Sequence, residues 1–345
     1  MKIEYLDVIF STCFSLRKIR SVTIMQNPDN YSMRPQMHII LVAPFGSGKS
    51  SFMKKIGKKF GNDMFFIDDF TKPSLEGSID KTTKEYVPSV LVNCGGKVMV
   101  IDEWNNVDAF GQNALLSLLE NQSVLRSIGF KVSKPYKLAN EYMDFQVNEN
   151  IIKARINFSC VACAMEYPIY ENFQKSKALL SRFSPYFIEL DDELLQTITS
   201  GQFEINVNDC SFKVEEIVID RKCHFDFQKK YWEYLKSNKL IPGNANDKGF
   251  CTRTMSDITR LGIYNYLRKN KPKSKKITIS SSKYFIEMLK YSDMFLRQYV
   301  NPKTKGKITE YERLLKMHPN EEIKFYADKL GVSERTVMRY NEELK

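Results

Sequence analysis

Apolar residues along this chain keep changing their period. His38-Ile39-Ile40-Leu41-Val42, Phe65-Phe66-Ile67, Val98-Met99-Val100-Ile101 and the stretch from Ile156 to Ala164 are near-unbroken apolar runs of strand length. Such runs predict parallel strands covered on both faces, and Tyr186 to Leu190 reads as one more. Between them the period becomes helical: Phe52, Ile56 and Phe60 share a face of a helix over residues 51–60, and Leu115, Leu118 and Leu119 share one over residues 109–121. Strand and helix alternate from residue 38 to about 190, which predicts an α/β fold, a parallel sheet flanked by helices. Residues 125–155 break the alternation. They carry Arg126, Lys131, Lys134, Lys137, Lys153 and Arg155 around Pro135, and read as an inserted basic hairpin or loop. An irregular segment is expected to about residue 225, then a mainly helical region to 300.

The first run ends in Ala43-Pro44-Phe45-Gly46-Ser47-Gly48-Lys49-Ser50. A strand, a glycine-rich turn closing on Lys-Ser and a following helix have the form of a phosphate-binding loop. The loop from Pro44 through Ser51 would wrap the nucleotide phosphates, with the backbone N–H groups supplied from Phe45 onward, Lys49 would reach the β and γ groups, and Ser50 would ligate Mg²⁺. Ala43 replaces the usual first glycine, at a position that shapes the turn without touching phosphate. The run Val98 to Ile101 ends in Asp102-Glu103. Carboxylates at that strand edge would hold Mg²⁺ (Asp102) and orient an attacking water (Glu103); the bland reading is an acidic helix cap. Together the two motifs point to ATP hydrolysis.

Composition narrows the classes. At 345 residues the chain has room for one large and one small domain, and no apolar run is long enough to span a bilayer. Glu4 and Asp7 interrupt the N-terminal apolar stretch, so residues 1–20 predict an amphipathic helix and not a signal peptide. Seven scattered cysteines fit reduced thiols in a cytoplasmic or nucleoid-associated setting. Cys160 and Cys163 form a C-x-x-C inside a strand run, where core thiols are expected before a metal or redox pair. Residues 239–345 hold 23 Lys and Arg against 12 Asp and Glu, while the rest balances at 29 each. Such asymmetry suits a polyanion-binding end or a solvated basic face.

Near the C-terminus, Ala327, Gly331, Ser333 and Val337 have the spacing of a helix-turn-helix: a small residue where two helices cross, a turn glycine, an N-cap and a core residue. Its second helix would offer Ser333, Glu334, Arg335, Thr336, Arg339 and Tyr340 to DNA; the alternative is a helical hairpin for protein contacts.

Taken in order, these motifs resemble the AAA+ ATPases, and specifically the minichromosome-maintenance (MCM) helicases and their relatives. Gly95-Gly96 before the acidic strand, Asn113 to Val124, Leu179-Leu180-Ser181-Arg182-Phe183, Thr252-Arg253-Thr254-Met255 with Arg260-Leu261, and Ile277 to Leu289 are all similar to that group. The resemblance implies that Arg182 is an arginine finger acting on a neighbouring subunit's nucleotide and that Arg253 acts on the same nucleotide from a lid. It also implies a ring-shaped homo-oligomer, most simply a hexamer, with Lys131, Lys134 and Lys137, and Arg126 at the start of the insert, lining a DNA-binding pore. Two departures stand out. Only 37 residues precede His38, with no counterpart of the N-terminal DNA collar, and the sensor-1 asparagine is absent, Glu166 being the nearest polar residue.

The expected organisation is therefore an AAA+ core over residues 1–228, a helical lid over 229–300, a basic linker over 301–308 and a helix-turn-helix over 309–345. The expected function is an ATP- and Mg²⁺-dependent DNA motor. Alternatives are an ATP-switched initiator, loader or remodeller that does not unwind DNA and, more remotely, a chelatase-type motor subunit.

Overall fold

A computed structural model of the chain describes residues 4–26, 29–43, 46–68, 70–71, 74–75, 77–121, 123–127, 129–164, 182–187, 196, 200, 206–210, 213–242, 248–300, 311–312, 314–315, 318–319 and 321–343. In chain order it begins with α1 (Glu4–Leu16), β1 (Ser21–Ile24), β2 (Tyr31–Met33), β3 (His38–Val42), α2 (Lys49–Phe60) and β4 (Met64–Ile67). A short hairpin, β5 (Ser78–Ile79) and β6 (Tyr86–Val87), precedes β7 (Val98–Ile101) and α3 (Ala109–Asn121). Next come β8 (Ser123–Ser127), β9 (Tyr136–Asn140), β10 (Met143–Asn148), β11 (Ile151–Ile156), β12 (Ser159–Ala164) and β13 (Ser184–Phe187). The rest holds β14 (Glu216–Ile219), α4 (Arg221–Ser237), α5 (Gly249–Asn270), β15 (Lys276–Ile279), α6 (Lys283–Ile286), α7 (Ser292–Val300), α8 (Ile323–Leu330) and α9 (Glu334–Glu343).

The apolar runs form the central sheet, parallel throughout, in the order β13-β3-β12-β7-β4. Its strands alternate between two cores, as the two-residue period of a strand demands. Ile39, Leu41, Val98, Val100, Val161 and Cys163 face one cluster with α1, α2 and α5. Ile40, Val42, Met99, Ile101, Cys160 and Ala162 face the other with α3. Cys160 and Cys163 thus lie on opposite faces, buried and free, which agrees with core thiols. The last strand begins at Ser184, two residues earlier than expected.

Three expectations need correction. The N-terminal helix is present but is not amphipathic on a surface: every residue from Ile9 to Leu16 is buried. Its polar side chains turn inward to a purpose. Ser11 and Ser15 Oγ accept from the amides of Asn208 and Cys210 at 2.9 and 3.0 Å, Asp7 Oδ1 accepts from Asn206 N at 3.0 Å, and fully buried Arg17 pairs with Asp63 (3.0 Å) and Asp209 (2.9 Å).

Second, the supposed irregular and helical stretches contribute β14 and β15, which join β1 and β2 in another sheet, order β15-β14-β1-β2. Four-residue strands paired across such distances carry too little local signal to stand out. The helices of 229–300 also pack into the cluster that holds α1 and one face of the central sheet.

Third, the basic insert is a four-stranded antiparallel sheet, order β8-β11-β10-β9, whose Phe145, Val147, Ile152 and Ile156 are buried in the α3-side core. Helices α8 and α9 close a small separate core around Tyr311, Tyr326, Ala327, Val337 and Tyr340.

Candidate nucleotide site and its arginine edge

β3 runs straight into the glycine loop. Ala43 is buried, outside the left-handed backbone region, and tied by its N–H to Ala164 O at 3.2 Å; nothing there requires glycine. Gly46 and Gly48, in contrast, sit at φ 78° and 73°, which side chains rarely tolerate. Helix α2 follows with neither a side-chain cap nor an acidic residue in its first turn. Its first N–H groups and its positive dipole end are therefore left to the loop. Lys49 Nζ donates to Ala43 O (2.8 Å) and Ser47 Oγ (3.1 Å), reaching back across the turn. Ser50 is half-buried and Ser51 exposed; Pro44 and Phe45 lie outside the described residues.

At the end of β7, Asp102 N donates to Ile67 O at 3.2 Å, fixing the strand edge. The Asp102 Oδ1 atom is buried without a hydrogen-bond partner among the described residues. A buried carboxylate oxygen is costly to leave unsatisfied, and a metal-bound water is what this chemistry would accept there. Glu103 is exposed, and Asn106 Nδ2 donates to its Oε2. Between the two motifs lies Cys163 on β12. Burial pushes its thiol up to about 12, the Asp102 charge pushes in the same direction, and Lys49 opposes them. Strand β12 lies between β3 and β7 in a parallel sheet, so the Lys49 loop and Asp102 follow the C-terminal ends of strands that flank it on either side. The donor set fits a nucleotide with Mg²⁺: Lys49 and the loop for phosphates, Ser50 and Asp102 for the cation, Glu103 for water. Glu166 lies outside the described residues.

The two arginines sit elsewhere. Ser184 of β13 pairs with Ile39, three positions before Val42, so Arg182 enters the sheet from the edge opposite the Lys49 loop. Along the strand that is about 10 Å or more. Arg253, on α5, donates from Nη2 to the Arg182 backbone oxygen at 2.6 Å. Buried Asp257, one turn on, accepts from Ser184 Oγ and pairs with Arg260 at 2.8 Å. Arg260 in turn donates to Arg34 O at 3.0 and 3.2 Å. Asp257 and Asn106 are not among the residues expected from the sequence. Their signals were the Arg-x-x-x-Asp-x-x-Arg spacing of one helix face and a position three residues past Glu103.

Among the expected DNA contacts, Lys131 and Lys134 are in ion pairs, with Glu149 at 3.6 Å and Glu85 at 3.0 Å. Lys137 is exposed on β9; the Arg126 side chain lies outside the described residues, as does the linker 301–308. In the C-terminal pair, Gly331 (φ 58°) ends α8 and Ser333 Oγ accepts from Thr336 N at 3.3 Å at the start of α9. Ser333, Arg335 and Arg339 are exposed and Thr336 half-buried. Tyr340 is a correction: it is buried in the small core, because its ring closes the gap beside Tyr311. The basic surplus also divides unevenly. Residues 239–308 hold 16 Lys and Arg against 4 Asp and Glu, and residues 309–345 hold 7 against 8.

Residues 38–183 match the family model described as AAA domain (dynein-related subfamily). The matched span starts at the first residue of β3 and ends one residue after Arg182, so it contains both nucleotide motifs. A search of curated proteins found no match for the chain. The match supports an AAA+ ATPase, and the five-stranded parallel sheet has the α/β architecture of that fold. Among the described residues no helix is long and apolar enough to cross a membrane.

Proposed function

We propose that this protein is an ATP-driven motor on DNA that works as a ring-shaped homo-oligomer, most simply a hexamer, similar to the MCM helicases, with residues 309–345 as a helix-turn-helix that touches DNA. The observation that carries the reading is the separation of Arg182 and Arg253 from their own Lys49 loop, on the opposite edge of the sheet. Arginines so placed have no nucleotide of their own to act on, and a second subunit would supply one.

In that reading Lys49 exchanges its bonds to Ala43 O and Ser47 Oγ for phosphate oxygens. Ser50 and Asp102 would hold Mg²⁺, whose charge would offset that of the phosphates. Glu103, steadied by Asn106, orients the attacking water. Arg182 and Arg253 arrive from the neighbour to stabilise the leaving charge, a contribution of about 10³–10⁵ in rate for an arginine finger.

A second reading, an ATP-switched initiator, loader or remodeller without unwinding, is favoured by two facts. Lys131 and Lys134 are engaged with acids, and the C-terminal helix pair lacks net positive charge. Strand displacement decides between the two. A motor unwinds a forked duplex with ATP and Lys49→Ala abolishes it. ATP-dependent assembly on DNA with no displaced strand would establish the switch instead, and full unwinding by Lys49→Ala would refute both.

A further inference from the structure

The insert sheet has one face in the core and one in water, and its alternation assigns every side chain to one or the other. β11 reads exposed-buried three times over from Ile151 to Ile156, and β10 is buried at Met143, Phe145 and Val147. The outward residues are fixed by register: Lys137 of β9 stands beside Gln146 of β10, which stands beside Lys153 of β11, and Arg155 stands beside Asp144. Three cations therefore share one solvent face. Lys137 and Lys153 are two strand spacings apart, about 10 Å, and Lys153 and Arg155 are about 7 Å apart.

We infer that this face binds the phosphodiester backbone of nucleic acid through Lys137, Lys153 and Arg155. The inference rests on the DNA reading above, keeps Lys137 from it, and replaces Lys131 and Lys134 of the connecting segment with Lys153 and Arg155 on the sheet. Three observations carry it. First, Lys137, Lys153 and Arg155 have no ion-pair or hydrogen-bond partner among the described residues, whereas Lys131 and Lys134 in the preceding loop are each held by a glutamate. Second, among the outward positions named here Asp144 is the single acid, held to Gln146 Nε2 at 2.9 Å, so three cations against it leave the face with a net charge of +2. Third, the turn joining β10 and β11 carries Glu149, so its tip offers no positive charge of its own. The outward positions named here hold no aromatic ring, so the surface offers charge without a platform for base stacking. It reads phosphates and not sequence.

The test is equilibrium binding of the full-length chain to a fluorescent oligothymidylate and to a duplex of mixed sequence, over a range of salt. The variant Lys137→Gln/Lys153→Gln/Arg155→Gln should lose at least about tenfold in affinity. Its slope of log K against log salt on the single strand should fall by about 2, since each phosphate contact contributes about 0.7. A charge-matched control, Lys222→Gln/Lys229→Gln/Lys236→Gln on the exposed side of α4, should stay within about twofold of the parent. Melting temperatures of both variants matching the parent would exclude misfolding.

A face variant that binds like the parent with an unchanged slope overturns the inference. If Arg335→Gln/Arg339→Gln then removes the affinity, DNA binding survives and belongs to the C-terminal helices. Equal losses in the face variant and the α4 control would mean that only net charge matters, which also overturns it. If the parent binds neither oligonucleotide even at low salt, the DNA reading falls with it.

Discussion

Arg253 Nη2 donates to the backbone oxygen of Arg182 at 2.6 Å, so helix α5 grips the turn that feeds β13. The grip is doubled one turn along, where Asp257 accepts from Ser184 Oγ. An arginine expected to act on another subunit is thereby held from behind by a helix of its own chain.

Sharing of the site between subunits can be tested by mixing. Lys49→Ala and Arg182→Ala should each lose ATPase activity, the latter by about 10³-fold or more. Random co-assembly should restore activity, because about a quarter of interfaces would combine an intact loop with an intact finger. Phosphate release from the mixture that never exceeds the sum of the parts would show that Arg182 does not act in trans.

Glu103→Gln should stop hydrolysis while leaving nucleotide binding intact, since the loop and Asp102 are untouched. Asn106→Ala frees the Glu103 carboxylate and should lower turnover by a smaller factor, about tenfold. Fluorescent-nucleotide binding alongside phosphate release separates the two effects; equal loss of binding in both variants would contradict these roles.

Asp257→Asn removes one partner of a buried ion pair and leaves Arg260 uncompensated, which costs about 3–5 kcal/mol. Burial already holds the Arg260 guanidinium down to about 10, with Asp257 working against that depression. The expected result is a large fall in melting temperature, together with a loss of oligomer-dependent ATPase in whatever fraction stays folded. Ser184→Ala, which removes only the second tie, should melt within a few degrees of the parent and still turn over more slowly.

His38, at the start of β3, should make the protein acid-sensitive. Burial first, then the charges of Arg34, Arg253 and Arg260, hold its pKa well below the ordinary 6.5. The unfolded chain therefore binds a proton that the folded one refuses. Stability falls as pH drops below about 6.5, by up to about 1.4 kcal/mol per pH unit for this residue. His224, depressed by burial, contributes in the same direction. Denaturant midpoints for His38→Gln should decline less steeply between pH 7 and 5 than those of the parent; parallel curves would rule His38 out.

How much of this was legible beforehand depended on how local the cause was. β3, β7, the glycine loop and the carboxylates of Asp102 and Glu103 were readable because each needs only a few adjacent residues. So were α2, α3 and the two C-terminal helices. The sheet of β1, β14 and β15 was not, since its strands begin at residues 21, 216 and 276 and gain stability only from each other. The inward turn of α1 was equally hidden: Ser11, Ser15 and Arg17 look like a polar face until residues 206–210 and Asp63 arrive to satisfy them.

The same division runs through the candidate site. Local order alone carried the glycine loop, the acidic end of β7 and the AAA+ character of residues 38–183, because each is written in consecutive residues. Only the tertiary structure decided which edge of the sheet Arg182 and Arg253 occupy, that Asp257 ties them to the core, and which lysines of the insert are already spent on glutamates. Those are relations between residues far apart in the chain, set by strand pairing and burial, and they do not exist until the chain is folded.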